Sequence, residues 1–167
     1  MKEDNDMNST TEKQATVPPR WFVRTAWVVH RAIYRVTGRR RGLWPPKPNG
    51  WGALQLTTTG RRTGKKRSVI VGYIEDGPNL VTLAMNGWGE GEPAWWLNLQ
   101  ANPEGTIMLA DGPRAVRGSA AAGSERTRLW ARWRDLGGDL DGHAKLQSTE
   151  TAVVVLEPRA ETQQAGS

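Results

Sequence analysis

The chain has 167 residues, with 23 Lys+Arg against 17 Asp+Glu for a net charge of +6, two histidines, nine tryptophans and no cysteine. That length supports one domain that buries roughly two thirds of its unfolded-chain surface without a cross-link. The lack of cysteine excludes disulfide scaffolds, zinc fingers, iron–sulfur clusters and thiol nucleophiles and fits a reducing cytoplasm, and with only His30 and His143 no metal site is expected.

The charge is uneven along the chain. Every acidic residue lies at or before Glu12 or at or after Glu75, so the 62 residues from Lys13 to Ile74 carry 14 of the 23 basic side chains and no carboxylate. Such a block calls for an anionic partner: phosphate, nucleic acid, lipid headgroups or a polycarboxylate.

Residues 1–17 are polar, with too few apolar groups to offset the entropy of ordering, and read as a disordered tail. Pro18 and Pro19 end it, and residues 20–37 follow as a basic amphipathic helix. At about 100° per residue, Arg20, Arg24, Arg31 and Arg35 fall within roughly 60° of arc. Phe22, Val23, Ala26, Val29, Ile33 and Val36 lie opposite, Trp21, Trp27 and Tyr34 nearer the flanks, and Arg39-Arg40-Arg41 comes next. Arg24 and Arg31 cut the apolar run too short for a signal peptide or a membrane span. Two placements stay open: docking on the domain by the apolar face, or lying on an anionic membrane surface through residues 20–41. The second would set a cytoplasmic protein peripherally on the inner face of the cell membrane.

Gly42 to Gly52, with Pro45, Pro46 and Pro48, reads as a linker. Beyond it the periodicity becomes two. Ala53 to Thr59, Arg67 to Glu75, Leu80 to Met85, Thr106 to Ala110, Ala115 to Ser119 and Ala152 to Glu157 are short, β-branched runs separated by turn residues. Two helices interrupt them. One has Pro93 as its first residue and runs to Asn102-Pro103; the other is capped by Ser124 and runs through Leu129, Trp130 and Trp133 to Gly137-Gly138. This order predicts an α+β fold built on a small barrel or bent sheet of about six strands. The expected division is a tail over 1–17, helix and linker over 18–50, a barrel domain over 51–159 and a tail over 160–167.

The densest chemical signal is Thr57-Thr58-Thr59-Gly60-Arg61-Arg62-Thr63-Gly64-Lys65-Lys66-Arg67, a strand-to-strand turn with five cations in its last seven residues. Backbone amides and side chains there can converge on an anion. It is not a phosphate-loop NTPase motif. Gly60 to Gly64-Lys65 is one residue short, Lys66 stands where magnesium needs Ser or Thr, and a strand follows instead of a helix. The bland alternative is a solvated hairpin tip. A second signal is the glycine-rich stretch Asn86-Gly87-Trp88-Gly89-Glu90-Gly91 leading into Pro93-Ala94-Trp95-Trp96-Leu97-Asn98. Its indoles suit a flat heteroaromatic ligand or simply the core. No Ser/His/Asp arrangement and no His/carboxylate cluster is compelling, so an enzyme built this way would leave the chemistry to a cofactor.

Leu56 to Arg67, followed by Pro93-Ala94-Trp95-Trp96-Leu97-Asn98-Leu99-Gln100-Ala101-Asn102-Pro103 and the closing run Val153-Val154-Val155-Leu156-Glu157-Pro158-Arg159, resembles the deazaflavin-dependent nitroreductase family. These are actinobacterial oxidoreductases that use coenzyme F420, and the likeness extends over about residues 20–159. It implies a split β-barrel with the basic N-terminal helix and two to three further helices, and a deazaflavin held in a groove beside the barrel. It also implies that Arg61, Arg62, Thr63, Gly64, Lys65 and Arg67 face the coenzyme's phosphate and polyglutamate tail. Val69, Ile70 and Val71 would lie along its ring or linker, and Leu83, Ala84, Met85, Asn86, Ala94, Trp95, Trp96 and Asn98 would close the remaining sides. The reaction implied is hydride transfer from reduced F420 to an electrophilic small molecule such as an enone, a quinone or a nitroaromatic.

Departures from the family pattern sharpen this. Members active on nitroimidazoles carry a small polar residue and a lysine where this chain has Met85 and Asn86, and tyrosines where it has Gly137, Leu140 and His143, so nitroreduction is not the expected reaction. Ile70 replaces a common proline. Trp27, Trp88, Leu140 and His143 are the expected substrate contacts, and His143 is the candidate proton donor. Alternatives from other classes are an FMN- or haem-binding split barrel, a coenzyme carrier, or a basic nucleic-acid-binding module. Against the last, no aromatic strand motif interleaves with the basic residues, and no nucleic acid is expected as partner. The oligomeric state is not legible in the sequence.

Overall fold

The computed structural model describes residues 42–86 and 89–159. The N-terminal tail, the basic helix with Trp27, the Arg39-Arg40-Arg41 run, Trp88 and the C-terminal tail lie outside the described residues. Six strands are present: β1 (Gly52–Thr59), β2 (Lys66–Asp76), β3 (Asn79–Leu83), β4 (Glu104–Leu109), β5 (Gly112–Ala120) and β6 (Val153–Pro158). Among the described residues three helices accompany them: α1 (Ala94–Ala101), α2 (Gly123–Asp135) and α3 (Leu140–Lys145). The strands close into an antiparallel barrel in the order β1-β2-β3-β6-β5-β4. Closure pairs every strand with two neighbours, although not along its whole length.

Alternation explains why the barrel needs its helices. All of Val153, Val154, Val155 and Leu156 in β6 are buried, which requires cover on both faces of that strand. Val154 and Leu156 point into the barrel with Leu54, Leu56, Ile107 and Val116. Val153 and Val155 join an outer cluster with Val81, Leu83, Leu129 and Leu140, so α2 and α3 cover the outside of β3 and β6. Leu129, fully buried on α2, contributes about 1.5–3 kcal/mol to that contact.

Helix α1 closes one end of the barrel. Trp95, Trp96 and Leu99 enter the interior cluster, and the two indoles meet edge to face at 6.4 Å. The helix sits this close because residue 118 is glycine: a Cβ there would lie 2.8 Å from Leu99 Cδ1. Pro93 occupies the cap position with extended ψ of 145°, so the helix starts at Ala94, one residue after the expected start.

Three further local expectations shift. Ser124 does not cap α2; the helix begins at Gly123 behind Ala122, because Ala121 is fixed by donating to the Val153 carbonyl at 2.8 Å. The helix does end before Gly137 and Gly138, whose φ values of 99° and 88° only glycine adopts easily. The short helix α3, absent from the strand-and-helix periodicity, is started by Asp139, whose side chain accepts from the Gly142 amide at 2.9 Å. The Pro/Gly segment is docked rather than free. Trp44 exchanges two backbone bonds with Ala53, its Nε1 donates to the Trp51 carbonyl at 3.3 Å, and Leu43 is buried.

One seam of the barrel is partly open. Strand β2 pairs with β1 over Lys66–Tyr73, but with β3 only over Ile74–Asp76. Above Ile74 the β2–β3 seam has no ladder, and β3 continues instead along β6 to Leu83. The basic turn, the start of α1 and the end of β3 therefore collect at the same end of the barrel, around that opening.

Candidate functional site

The turn Gly60–Lys65 is a single helical turn closed by a left-handed glycine. The Gly64 amide donates to the Gly60 carbonyl at 2.7 Å, Thr63 N–H reaches the same oxygen at 3.2 Å, and Gly60 N–H donates to the Lys65 carbonyl at 2.8 Å. Gly64 has φ +66°, as such a closure requires. Arg61, Arg62 and Lys65 project from it into solvent. Among the described residues, none of Arg61, Arg62, Lys65, Lys66 and Arg67 forms an ion pair. Lys66 turns back to donate to Thr59 Oγ1 at 3.0 Å.

The amide half of the sequence expectation is not met. The N–H groups of Gly60, Thr63 and Gly64 are used inside the turn, that of Lys65 points at Thr63 Oγ1, and that of Arg61 donates to Asn98 Oδ1 at 3.1 Å. The later amides of the turn close on the Gly60 carbonyl, and the early Arg61 amide is taken by Asn98. Anion binding here falls to the guanidinium and ammonium groups.

Strand alternation divides the residues of β2. Val69 and Val71 pack toward the interior cluster opposite Leu56 and Leu54. Ile70 points the other way, opposite Gln55. All three stay partly exposed because no β3 neighbour covers them. Arg67 shares the face of Val69 and Val71, so a cation and two apolar side chains line one side of the open seam. On the outer side, Gly72 lies beneath Trp51 and Trp133: a Cβ there would stand 3.4 Å from one indole and 3.7 Å from the other. Trp133 Nε1 is buried with no acceptor among the described residues, a donor left for a further group to satisfy. Its place on α2 gave no signal in the sequence, since its partner strand is remote.

Several residues expected at the coenzyme or substrate are buried in the packing. Trp95, Trp96, Leu83 and Asn98 are all less than a tenth exposed. Both tryptophans are core because α1 is covered on both flanks, and Leu83 lies beneath α2 and α3. Asn98 Nδ2 donates to the buried Thr58 Oγ1 at 3.1 Å. Leu140, expected at the substrate, is buried in the outer cluster, so it acts through packing. Met85, Asn86 and Ala94 keep accessible surface, while Ala84 is buried.

A shallow depression opens beside the end of β3, lined by Ala84, Met85, Asn86, Gly91, Glu92, Gln147, Thr149, Glu150 and Thr151. The Glu90 carboxylate accepts from Ser148 Oγ at 2.8 Å and ties its two loops together. His143 stands one helical turn before Gln147, and its Nδ1 lies 2.6 Å from the Asp139 carbonyl. A carbonyl only accepts, so Nδ1 carries the proton and is committed to this contact.

The donor set fits a coenzyme with a flat ring and a multiply anionic chain. Unneutralised cations sit at one end of the open seam, and a partly exposed apolar strip runs along it. The comparisons with known proteins agree. A family profile for F420H(2)-dependent quinone reductase matches residues 27–158. A Mycobacterium tuberculosis protein named for that activity is 34% identical over 107 residues, 64% of this chain and 89% of the relative. Another from the same species is 35% identical over 99 residues, 57% of this chain, which spans 64% of that relative. Among solved structures, an F420-H2 dependent reductase superposes with a TM-score of 0.57 at 24% identity, over 63% of this chain and 93% of the other. That likeness shows the fold, a split barrel. With the family profile covering most of the chain, the protein belongs to the F420H(2)-dependent quinone reductase family and is an F420-dependent reductase.

Proposed function

We propose that this chain holds coenzyme F420 with its phosphate and glutamate tail on Arg61, Arg62, Lys65 and Arg67 and its ring along Val69–Val71, and that it reduces an uncharged quinone or enone. The observation that carries the reading is the set of turn cations that have no carboxylate partner among the described residues, beside the one seam where β2 lacks its neighbour. Guanidinium and ammonium groups left unpaired by the fold retain their full attraction for an anion. When bound, reduced F420 supplies the hydride.

The protein's own contribution is binding and orientation. The cations fix the anionic chain, and the apolar strip removes the ring's flank from water. Met85 and Asn86 border both the seam's end and the depression beside it. That depression has amide and hydroxyl groups and two carboxylates but no lysine or arginine among its lining residues. Such a lining gives an acidic acceptor nothing to bind, while Asn86 offers a carbonyl oxygen a neutral donor. A quinone or enone meets this description better than a substrate that needs a cationic anchor.

The test is a fluorescence titration of the purified protein with F420 and FMN in parallel, repeated at higher salt, then turnover of reduced F420 with a soluble quinone and with a nitroimidazole. F420 binding that weakens with salt but stays selective over FMN, with quinone turnover, supports the reading. Equal affinity for FMN, or F420 binding indifferent to salt, would sink it.

A further inference from the structure

Asn98 is the one buried amide side chain among the described residues, and it lies where α1 meets the basic turn. It is 4% exposed, and both of its polar atoms are engaged across the fold. Oδ1 accepts from the Arg61 amide at 3.1 Å, 37 residues away in sequence. Nδ2 donates to Thr58 Oγ1, itself fully buried, at 3.1 Å. Asn98 is therefore a buried strut between a rigid helix and the first cationic residue of a turn that is otherwise exposed. The helix is fixed by Trp95, Trp96 and Leu99 in the barrel interior.

We infer that Asn98 is a positioning residue: it sets the backbone of Arg61, and through it the array of turn cations, without itself touching the coenzyme. The inference rests on the assignment of the turn as the anion site, and it reassigns Asn98 from coenzyme contact to support. Two physical points carry it. A side chain 4% exposed, with its oxygen on the Arg61 amide and its nitrogen on the buried Thr58 hydroxyl, presents almost no surface to a ligand. An exposed six-residue turn held only by its own bonds would have to be ordered by the ligand, and that ordering would be subtracted from affinity; a buried strut from the scaffold removes most of the cost. Thr58 completes the device. Its hydroxyl accepts from the Asn98 amide, which fixes the amide's orientation with the oxygen toward Arg61.

The test compares Asn98→Ala, Thr58→Val and Thr58→Ser in the full chain, with two readouts. Hydrogen exchange in the ligand-free protein measures the strut directly. In Asn98→Ala the Arg61 amide is expected to exchange at least about tenfold faster while the Leu54 amide in β1 stays unchanged. Binding is then measured with F420 and with the tail-less deazaflavin that carries only the ring and ribityl chain. Asn98→Ala is expected to lose about tenfold or more in F420 affinity and to bind the tail-less ligand as the parent does. Thr58→Val should move in the same direction by a smaller factor, and Thr58→Ser, which keeps the hydroxyl, should restore parental behaviour. Unchanged Arg61 exchange would overturn the strut, as would equal losses for both ligands, which would mean that Asn98 meets the ring. Should Asn98→Ala fail to fold, the Val and Ser pair at Thr58 decides by the same readouts. Failure of the parent protein to bind F420 would refute the assignment of the turn but leave the exchange result to judge the strut.

Discussion

Strand β2 has a charged turn at each end, and the two were built to opposite purposes. At its start, Gly60–Lys65 and the residues just after it carry five cations that the described fold leaves without a carboxylate. At its finish, the Asp76 carboxylate is held by Arg128 in a two-pronged contact at 2.8 and 2.9 Å and by Arg132 at 2.7 Å, while Arg132 also donates to the Glu75 carbonyl. The second cluster ties α2 to the barrel and is electrically closed. The first is electrically open. Density of charge alone does not mark a ligand site; charge that the fold has not already satisfied does.

The sharpest way to break this contrast is to remove the open charges. Arg61→Ala with Lys65→Ala should weaken F420 binding by about 100-fold, since each lost charge-assisted contact is worth on the order of 1.5 kcal/mol or more. Thermal stability should stay within a degree or two, because neither side chain packs. Parental affinity in the double variant would move the anion site elsewhere.

A second substitution tests whether the open turn depends on α1. Gly118→Ala places a methyl 2.8 Å from Leu99 Cδ1 and should cost about 1–3 kcal/mol in denaturant unfolding. It should also lower F420 affinity by a small factor, because α1 carries Asn98. Loss of stability with affinity untouched would uncouple the helix from the turn.

At the closed end the pattern should invert. Asp76→Asn is expected to cost about 1 kcal/mol of stability, as suits a multiply held carboxylate whose arginine partners are half-exposed, and to leave F420 affinity at the parental value. The smallest effect is on pH. The Arg128 hydrogen bond, with further help from the Arg128 and Arg132 charges and against some burial, holds the Asp76 carboxyl below its ordinary 3.8. A carboxyl with a depressed folded value stabilises the fold fully above its unfolded pKa, and the contribution disappears as pH falls through the folded one. The stability difference between parent and Asp76→Asn should therefore be constant near neutrality and shrink as acid unfolding is followed below about pH 4. A difference that persists there unchanged would place the contribution in packing instead.

Much of the barrel was legible in the chain because its signals are local. Six short alternating runs, punctuated by Gly and Pro, correspond to six strands with ends shifted by at most three residues. The basic turn was legible for the same reason, since its cations and both glycines fall within a few positions. What escaped detection depends on partners far apart in sequence. Trp95 and Trp96 look alike whether they stack on a ligand or fill a core; only the placement of α1 over the barrel end buries both. The Asp76 clamp joins residues 52 and 56 positions apart, and α3 is too short for periodicity to reveal, being set by a single Asp139 cap.

The sequence by itself therefore determined an α+β fold of six short strands and a cationic hairpin turn, because alternation, turn chemistry and charge run are properties of neighbours along the chain, and its motifs carried the resemblance to the F420-using enzymes that implied a split barrel. Only the tertiary structure decided which charges stay open. It closed Arg128 and Arg132 of α2 on Asp76, left the cations of the turn without a carboxylate among the described residues, and buried Asn98 between the helix and Arg61. Neutralisation and desolvation are set by what the fold brings within a few ångströms, and that distance is not written in the order of the residues.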